Sequence, residues 1–141
     1  MSLIKKTIVI LITLAPFLAS AEDDFMADFI LGKYLLLGKG VDTQRTYTGK
    51  VRIYREDQGL KLTRMIDGQS VVADVTFETA LGGDANVIRI RFKQADQSYE
   101  ETCLSQSDLD NYARLTCYLY HPGSTTRDPG MEVFYHDHTA D

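Results

Sequence analysis

Apolar and polar residues alternate along most of the chain beyond residue 32. The clearest run is residues 71–78, in which Val71, Ala73, Val75 and Phe77 alternate with Val72, Asp74, Thr76 and Glu78. Residues 47–54, 60–66 and 88–93 alternate in the same way, and turn-forming sequences such as Asp67-Gly68 separate the runs. A period of two predicts β-strands that turn one face to a core, and Asp-Gly is a strong hairpin signal. The pattern therefore predicts an antiparallel meander with one solvated face.

Four further strands are predicted near residues 33–40, 98–105, 112–120 and 131–136, which brings the count to about eight. Phe25 and Phe29 are four residues apart, so residues 25–31 are predicted to form one or two helical turns with both rings on one face. Eight short strands leave unprotected edges unless the sheet closes. The predicted fold class is therefore all-β: a single antiparallel up-and-down barrel of about eight strands, preceded by a short N-terminal helical turn.

Both faces of the strand at 112–120 are apolar, so the sequence leaves open which face points inward. One face carries Ala113, Leu115, Cys117 and Leu119, and the other carries Tyr112, Tyr118 and Tyr120. The tyrosines would either line a pocket or form a half-exposed patch for a protein partner, since tyrosine is enriched at such interfaces.

The first 21 residues have the features of a cleaved signal peptide. Lys5-Lys6 precede an apolar run at 7–18, and Ala19-Ser20-Ala21 places small residues before a cleavage point at Glu22. The apolar run is shorter than the ~20 residues of a membrane-spanning helix, so a retained anchor is the less favoured alternative. No cysteine precedes Cys103, which excludes a bacterial lipoprotein signal. We therefore expect residues 1–21 to be removed, residues 22–141 to form the β-barrel domain, and the protein to be periplasmic or extracellular.

The size and charge of the predicted mature chain limit what it can bind. Removal of 21 of the 141 residues takes away two lysines and no acidic residue, so the net charge changes from −5 to −7. About 120 residues suit one domain. Nucleic acid and anionic membranes attract basic surfaces, so neither is an expected partner, and no membrane span is expected after signal cleavage.

Cys103 and Cys117 are predicted to form a disulfide bond. An exported protein meets an oxidising compartment, and the spacing of the two cysteines matches no zinc site. If they face each other across a hairpin, its centre falls at residue 110, inside the polar, turn-like run 105–111. Directly opposed residues on antiparallel strands are close enough for a disulfide.

The order of these elements resembles the lipocalin and avidin group of small ligand-binding barrels. The predicted helical turn leads into Gly32-Lys33-Tyr34, where lipocalins carry a Gly-x-Trp signature at the start of the first strand. Residues 47–53 and 129–132 also resemble segments of uncharacterised bacterial barrels of this kind. This chain differs from lipocalins in having no tryptophan. The resemblance implies a cavity for a small apolar ligand and no catalysis.

Four residues are candidates for binding a ligand inside the barrel: Tyr47, Arg64, Tyr99 and Glu101. Arg64 lies on the face that carries Leu60 and Leu62, and Tyr99 and Glu101 share a face with Cys103. A charged group that faces a core needs a partner or a ligand. Arg64 would pair with Glu101, hold a ligand carboxylate, or pack its stem near the barrel mouth while its head reaches water. The last interpretation is favoured.

The remaining motifs give little support for a metal site or for catalysis. His136 and His138 share one face of a strand, and His121 or Asp141 would supply a third metal ligand. Their position near the C-terminus favours a solvated tail instead. No Gly-x-Ser-x-Gly, His-Glu-x-x-His or phosphate-binding glycine loop occurs. The sequence therefore predicts no metal site, no cofactor and no enzymatic activity.

Two functions remain as hypotheses. The first is an exported, non-enzymatic barrel that binds a small, partly apolar molecule in a cavity of several hundred Å³. The second is an envelope or extracellular interaction module, an inhibitor or docking protein, whose barrel is filled and whose tyrosines lie outside. The sequence alone does not decide between them.

Overall fold

The computed structural model describes residues 20–139, and side chains from residue 23 onward. An α-helix is followed by eight strands that close into an up-and-down antiparallel barrel, with β1 paired to both β2 and β8. The elements are α1 (Ser20–Ile30), β1 (Gly32–Lys39), β2 (Thr46–Glu56), β3 (Gly59–Ile66), β4 (Gln69–Ala80), β5 (Ala85–Gln94), β6 (Gln97–Ser107), β7 (Ala113–Tyr120) and β8 (Gly130–His136). The predicted fold class is confirmed.

Strand β7 shows how the alternating sequence specifies the barrel wall. Residues Ala113, Leu115, Cys117 and Leu119 are buried, and the residues between them are exposed. This settles the orientation that the sequence left open. Tyr112 and Tyr118 are exposed on the outer surface, and Tyr120 is half-buried there.

Tight turns fix the register of neighbouring strands. At the β3–β4 turn, Asp67 and Gly68 both have positive φ angles, of 50° and 77°. A two-residue turn with this geometry follows the right-handed twist of the strands. Ala95 and Asp96 adopt positive φ angles at the β5–β6 turn as well, although Ala-Asp gives no turn signal in the sequence.

Helix α1 closes one end of the barrel, which we call the helix end. Ala27 and Ile30 are buried against the core, and the hydroxyl of Tyr34 on β1 donates a 2.7 Å hydrogen bond to the Ile30 carbonyl. The helix is longer than the one or two turns predicted. Phe25 is 69% exposed and Phe29 is partly buried against the core, so the two rings do not form one buried face.

The disulfide joins the β6–β7 hairpin as predicted. Cys103 lies directly opposite Cys117, with a Cα–Cα distance of 4.0 Å, and both are buried. Asp108 organises the turn, because its Oδ1 accepts 2.9 Å hydrogen bonds from the backbone N–H groups of Asp110 and Tyr112.

Two predictions concern parts of the chain near the N-terminus. No helix within residues 20–139 is both long enough and apolar enough to cross a membrane. The predicted signal peptide lies outside the described residues except for Ser20 and Ala21, so its cleavage stays a prediction.

Candidate functional site

Four polar side chains point into the barrel from four different strands. Tyr47 lies on β2, Arg64 on β3, Glu101 on β6 and Glu132 on β8. Arg64, Glu101 and Glu132 are buried, and Tyr47 is half-buried. We call these four residues the buried polar cluster. They form one connected group because each strand presents alternate residues to the same interior.

Arg64 is an interior residue, with a side chain that is only 5% exposed. Its Nη2 donates to Oε1 of Glu132, and its Nη1 donates to Oε1 of Gln94 at 3.3 Å. The guanidinium carbon lies 4.5 Å from the ring centroid of Phe92. The favoured interpretation, in which the head of Arg64 reaches water, is therefore wrong. Its ion-pair partner is Glu132, a residue that was not among the predicted ones.

Glu101 and Glu132 form a carboxyl pair in the interior. Burial raises the pKa of Glu101 well above its ordinary value, and the charge of Glu132 and a hydrogen bond between the two side chains raise it further. Arg64 partly opposes this shift. Oε1 of Glu101 and Oε2 of Glu132 have no other hydrogen-bond partner among the described residues. A proton carried by Glu101 and donated to Glu132 satisfies both carboxyl groups.

Tyr47 completes the cluster by donating from its hydroxyl to Oε1 of Glu132. Burial is the main cause that raises the pKa of Tyr47, and the charge of Glu132 adds to it, so the hydroxyl keeps its proton. The ring lies against Gly38 on β1, where a Cβ would overlap it. Glycine at position 38 therefore gives the ring room to reach inward.

Above the buried polar cluster, the barrel opens into a cavity of about 390 Å³ at the end opposite α1. We call this cavity the cup. Its lining includes Tyr47, Arg64, Phe92, Tyr99, Leu119 and His121. Directly below the buried polar cluster lie fully buried side chains, which include Leu36, Ile53, Leu62, Leu115 and Phe134.

One wall of the cup is aromatic. The rings of Phe92 and Tyr99 stack with centroids 5.2 Å apart and an interplanar angle of 12°. The His121 ring lies 4.6 Å from Tyr99, tilted by 45°. Arg64 covers the other side of this wall through its contact with Phe92. The four side chains form one series of stacked contacts from the floor of the cup to its rim.

The structure brings the four predicted ligand-binding residues together, but it places them at two depths. Tyr47, Arg64 and Tyr99 line the cup, and Glu101 lies in the buried polar cluster without lining it. The sequence offers a signal for Glu132 only if Phe134 points inward, because the opposite face of the strand carries the apolar residues Met131, Val133 and Tyr135. An inward Phe134 requires an inward Glu132.

The pair of Glu101 and Glu132 predicts an unusual dependence of stability on pH. The folded state holds the proton of Glu101 over a pH range in which the unfolded chain has released it. The contribution of Glu101 to the free energy of unfolding therefore falls as the pH rises above about 4.3, by up to about 1.4 kcal/mol per pH unit, until the folded-state pKa is reached. Glu101→Gln, which keeps a donor towards Glu132, should remove this fall. Urea unfolding of both proteins at pH 4, 6 and 8 measures the difference.

Glu100→Gln is the matched control for this prediction. Burial acts to raise the pKa of Glu100, but hydrogen bonds from Tyr120 and Arg91 outweigh it and lower the pKa. Glu100→Gln should therefore lose stability relative to the wild type as the pH rises towards and through about 4.3, and the difference should then stay constant at higher pH. A Glu101→Gln variant that follows the same course as Glu100→Gln would contradict a protonated Glu101.

His136 is packed against the barrel, so the expectation of a solvated tail is wrong for this residue, whereas His138 is exposed. The His136 ring stacks on Tyr112 with a centroid distance of 4.0 Å and lies 4.9 Å from His138. Asp137 is buried, and its backbone N–H donates to the Lys33 carbonyl at 2.9 Å. Pairing of β8 with β1 holds this segment in place.

The packing of the histidines does not itself make a metal site. Within residues 20–139, one group of three potential metal ligands has its ligand atoms within 4.8 Å, and it consists of Glu101, Cys103 and Cys117. Both cysteines are in the disulfide, so they offer no thiolate.

We expect EDTA to leave the melting temperature unchanged. Excess Zn²⁺ should leave it unchanged as well, because a ligand raises the melting temperature only when it binds the folded protein. Differential scanning fluorimetry with and without the two reagents checks this. A large loss of melting temperature on chelation would show that a metal site exists at the histidines.

A second cavity of about 410 Å³ lies at the helix end. Its lining includes Met26, Phe77, Asn86 and Ile88. It contains no residue of the buried polar cluster and none of the four predicted ligand-binding residues. The cup is therefore the stronger candidate site.

Comparison with known proteins does not assign the chain to a group. No protein-family model matches it, and no curated protein is significantly similar to it. The closed eight-stranded barrel is compatible with a lipocalin-like fold.

Proposed function

We propose that this protein is an exported, non-enzymatic, lipocalin-like barrel that binds a small, partly apolar molecule in the cup. The observation that carries the proposal is the cup itself: about 390 Å³, open at one end, with an aromatic wall and a buried arginine at its floor. Pockets for small molecules have this size and combine apolar walls with a few placed polar groups.

The packed side chains directly beneath the buried polar cluster support a preformed site. The side chains below the buried polar cluster and helix α1 support the floor from beneath, and the ion pair of Arg64 and Glu132 ties β3 to β8 across the interior. A rigid floor lowers the entropy cost of binding, because fewer side chains must be ordered when the ligand enters.

Catalysis is not part of the proposal. The carboxyl groups that would serve as acid and base, Glu101 and Glu132, are engaged with each other, and Glu132 also binds Arg64 and Tyr47. Carboxyl groups that are held in this way support the floor of the cup, and they are not free to exchange a proton with a substrate.

Export is the second part of the proposal, supported by the disulfide and by the N-terminal sequence. We expect the mature protein to begin at Glu22. Intact mass and N-terminal sequencing of protein from the periplasm or culture medium check this. An exported protein that still begins at Met1 would contradict it.

Native mass spectrometry of protein purified from its natural source tests ligand binding. We expect an additional mass of a bound small molecule. Val41 is half-buried and lines the cup, so Val41→Trp should place a bulky ring in the cup, obstruct it and abolish the additional mass. Val72→Trp places the same ring on the outer surface, where Val72 is 57% exposed, and should retain the mass. Retention in Val41→Trp would contradict binding in the cup.

A second candidate function is docking to a protein partner. Strands β6, β7, β8 and β1 carry exposed apolar side chains on neighbouring outer positions: Leu104, Tyr118, Met131, Tyr135 and Leu37. Contiguous apolar surface of this kind is typical of interaction sites. Strands β4, β5 and β6 instead carry ion pairs on their outer face, among them Glu78 with Arg91 at 2.6 Å.

The two candidates predict protection of different side chains. Hydroxyl-radical footprinting in extract from the natural source, compared with buffer, should protect Tyr99 and His121 if the cup is occupied. A docked partner should protect Tyr118 and Met131 instead. Protection confined to the latter pair would favour the second candidate.

A further inference from the structure

Apolar side chains form a continuous patch on the outer face of β7, β8 and β1. They are direct neighbours across the paired strands: Tyr118 with Met131, Val133 with Leu37, and Tyr135 with Leu35. More than half of the surface of Tyr118 and of Leu37 is exposed. We call these six residues the apolar patch. Contiguous apolar surface of this kind is typical of a site that contacts another molecule.

The charged residues around the apolar patch are mainly basic. On the described strands β7, β8, β1 and β2, the outer positions carry one acidic residue, Glu56 at the end of β2, and five basic residues: Lys33, Lys39, Lys50, Arg52 and Arg114. Nζ of Lys39 lies 3.0 Å from Oδ1 of Asp128. Nζ of Lys50 lies 3.9 Å from Oδ2 of Asp137. This face therefore keeps a positive charge, although the net charge of the whole chain is −5.

A groove of about 250 Å³ lies beside the apolar patch, on the outer face of β1, β2 and β3. Its lining includes the basic residues Lys33, Lys50 and Arg52, the hydroxyl residues Thr63 and Ser70, and Met65. We call it the basic groove. Lys50 lies directly opposite Leu35 of the apolar patch, so the two surfaces are continuous. Asp137 also lines the groove, and its Oδ1 accepts two hydrogen bonds from Thr139. Cationic and hydroxyl donors of this kind favour a carboxylate.

The combination of the apolar patch and the basic groove narrows the class of partner. A second copy that docked through the same face would bring two positively charged surfaces together. Nucleic acid and anionic lipid are repelled by the net negative charge of the chain. An uncharged protein surface would take the charges of Lys50 and Arg52 out of water without compensation. A protein surface that carries apolar side chains beside carboxylates matches both features.

We infer that the outer face of β7, β8, β1 and β2 docks an acidic protein segment. Apolar side chains of the segment cover the apolar patch, and its carboxylates enter the basic groove beside Lys50 and Arg52. This inference rests on the second candidate function, docking to a protein partner, and it does not involve the cup. The apolar contacts supply most of the binding, and the charges set the orientation of the segment and the rate at which it associates.

Three heptapeptides that differ only in charge test the inference. They are Glu-Glu-Leu-Phe-Leu-Glu-Glu, Gln-Gln-Leu-Phe-Leu-Gln-Gln and Lys-Lys-Leu-Phe-Leu-Lys-Lys, each acetylated and amidated at its ends. Titration into the ¹⁵N-labelled protein, followed by NMR, gives both the affinity and the site. The acidic peptide should shift the amide signals of Leu37, Lys50 and Val133 and bind about tenfold more tightly than the neutral peptide. The basic peptide should leave these signals unchanged. Raising NaCl from about 50 mM to about 500 mM should remove most of the advantage of the acidic peptide.

Variants separate the basic groove from the apolar patch. Arg52→Glu should weaken binding of the acidic peptide about tenfold and leave the neutral peptide unchanged. Lys93→Glu makes the same change in charge on the outer face of β5, where Lys93 is exposed, and should alter the affinity less than about twofold. Leu37→Thr removes apolar surface from the patch, so it should weaken the acidic and the neutral peptide alike. Circular dichroism of each variant confirms that the barrel is intact.

The adverse results can be told apart. If the acidic and the neutral peptide bind this face equally, the acidic class of partner is wrong and the docking function stands. If the acidic peptide shifts signals elsewhere and not those of Leu37, Lys50 and Val133, or if no peptide binds, the inference is overturned. Protection of Tyr118 and Met131 in the footprinting experiment would then still support docking, and native mass spectrometry tests the cup independently.

Vesicles of phosphatidylglycerol complete the test. We expect them not to bind the protein in a sedimentation assay, because the net charge of the chain is negative. Binding that Arg52→Glu abolishes would show that this face contacts an anionic lipid surface, and it would overturn the inference of a protein partner.

Discussion

Arg64→Met is expected to lower the free energy of unfolding by about 3–5 kcal/mol, the cost of removing one partner from a buried ion pair. The variant leaves Glu132 charged in the barrel interior, next to a second carboxyl group, Glu101. Methionine keeps much of the volume of the aliphatic part of arginine. The loss in the free energy of unfolding therefore reflects the missing charge more than lost packing. For a domain of about 120 residues the melting temperature should fall by about 10–30 °C.

The ion-pair origin of that loss can be separated from packing with a double-mutant cycle. Glu132→Gln in the Arg64→Met background removes the unpaired charge, so the double variant should be less destabilised than the two single losses added together, by about 1–3 kcal/mol. Urea unfolding of the four proteins at pH 7 gives the coupling. Arg52→Met is the matched control: Arg52 lies on the outer face of β2, and its loss should cost less than about 1 kcal/mol. Additive losses at positions 64 and 132 would contradict the ion pair.

The barrel was predictable from the sequence because the signals that specify its strands and turns lie within short stretches of the chain. Period-two alternation assigns each residue to a face, and turns such as Asp67-Gly68 set the register between neighbouring strands. Closure of the sheet into a barrel is expected because the edge strands of an open sheet would leave backbone groups unpaired. The turn at Ala95-Asp96 carries no such signal, and there the alternation on both sides was enough to place the two strands.

The partners inside the barrel were harder to predict, because they depend on distances between strands that are far apart in sequence. Alternation along each strand indicates which residues share a face with Arg64, Glu101 and Glu132. It does not give the heights of these three side chains along the barrel axis. The pairing of Arg64 with Glu132 spans 68 residues and follows from the registers of several strand pairs together. The expectation that Arg64 reaches water was wrong for this reason, because the sequence does not show that Glu132 lies beside it.

The C-terminal segment shows a second limit. Proximity to a chain end favoured a solvated tail for His136 and His138, but closure of the barrel requires β8 to pair with β1. That pairing brings His136 opposite Tyr34, and the neighbouring hairpin brings Tyr112 onto its ring. A residue near the end of the sequence is therefore part of the barrel wall.

The Cys103–Cys117 disulfide gives the second large expected effect. Replacing both cysteines with alanine should lower the free energy of unfolding by about 2–4 kcal/mol, mainly because the unfolded chain gains freedom once the loop between them is no longer closed. The melting temperature should fall by about 8–25 °C. Thermal unfolding followed by circular dichroism measures both the loss and the strand content that remains.

The barrel itself should survive this change, because the register of β6 and β7 has supports that do not involve sulfur. Eight residue pairs join the two strands, from Glu100 with Tyr120 to Ser107 with Ala113, and Asp108 organises the turn between them. The double variant should therefore keep the strand signal of the wild type at low temperature and lose it at a lower temperature. Equal melting of the two proteins, or free thiols at both positions in exported protein, would contradict the disulfide. Loss of strand structure at low temperature would instead show that the hairpin needs the bond to form, and that alternation and turn sequence do not by themselves hold β6 against β7.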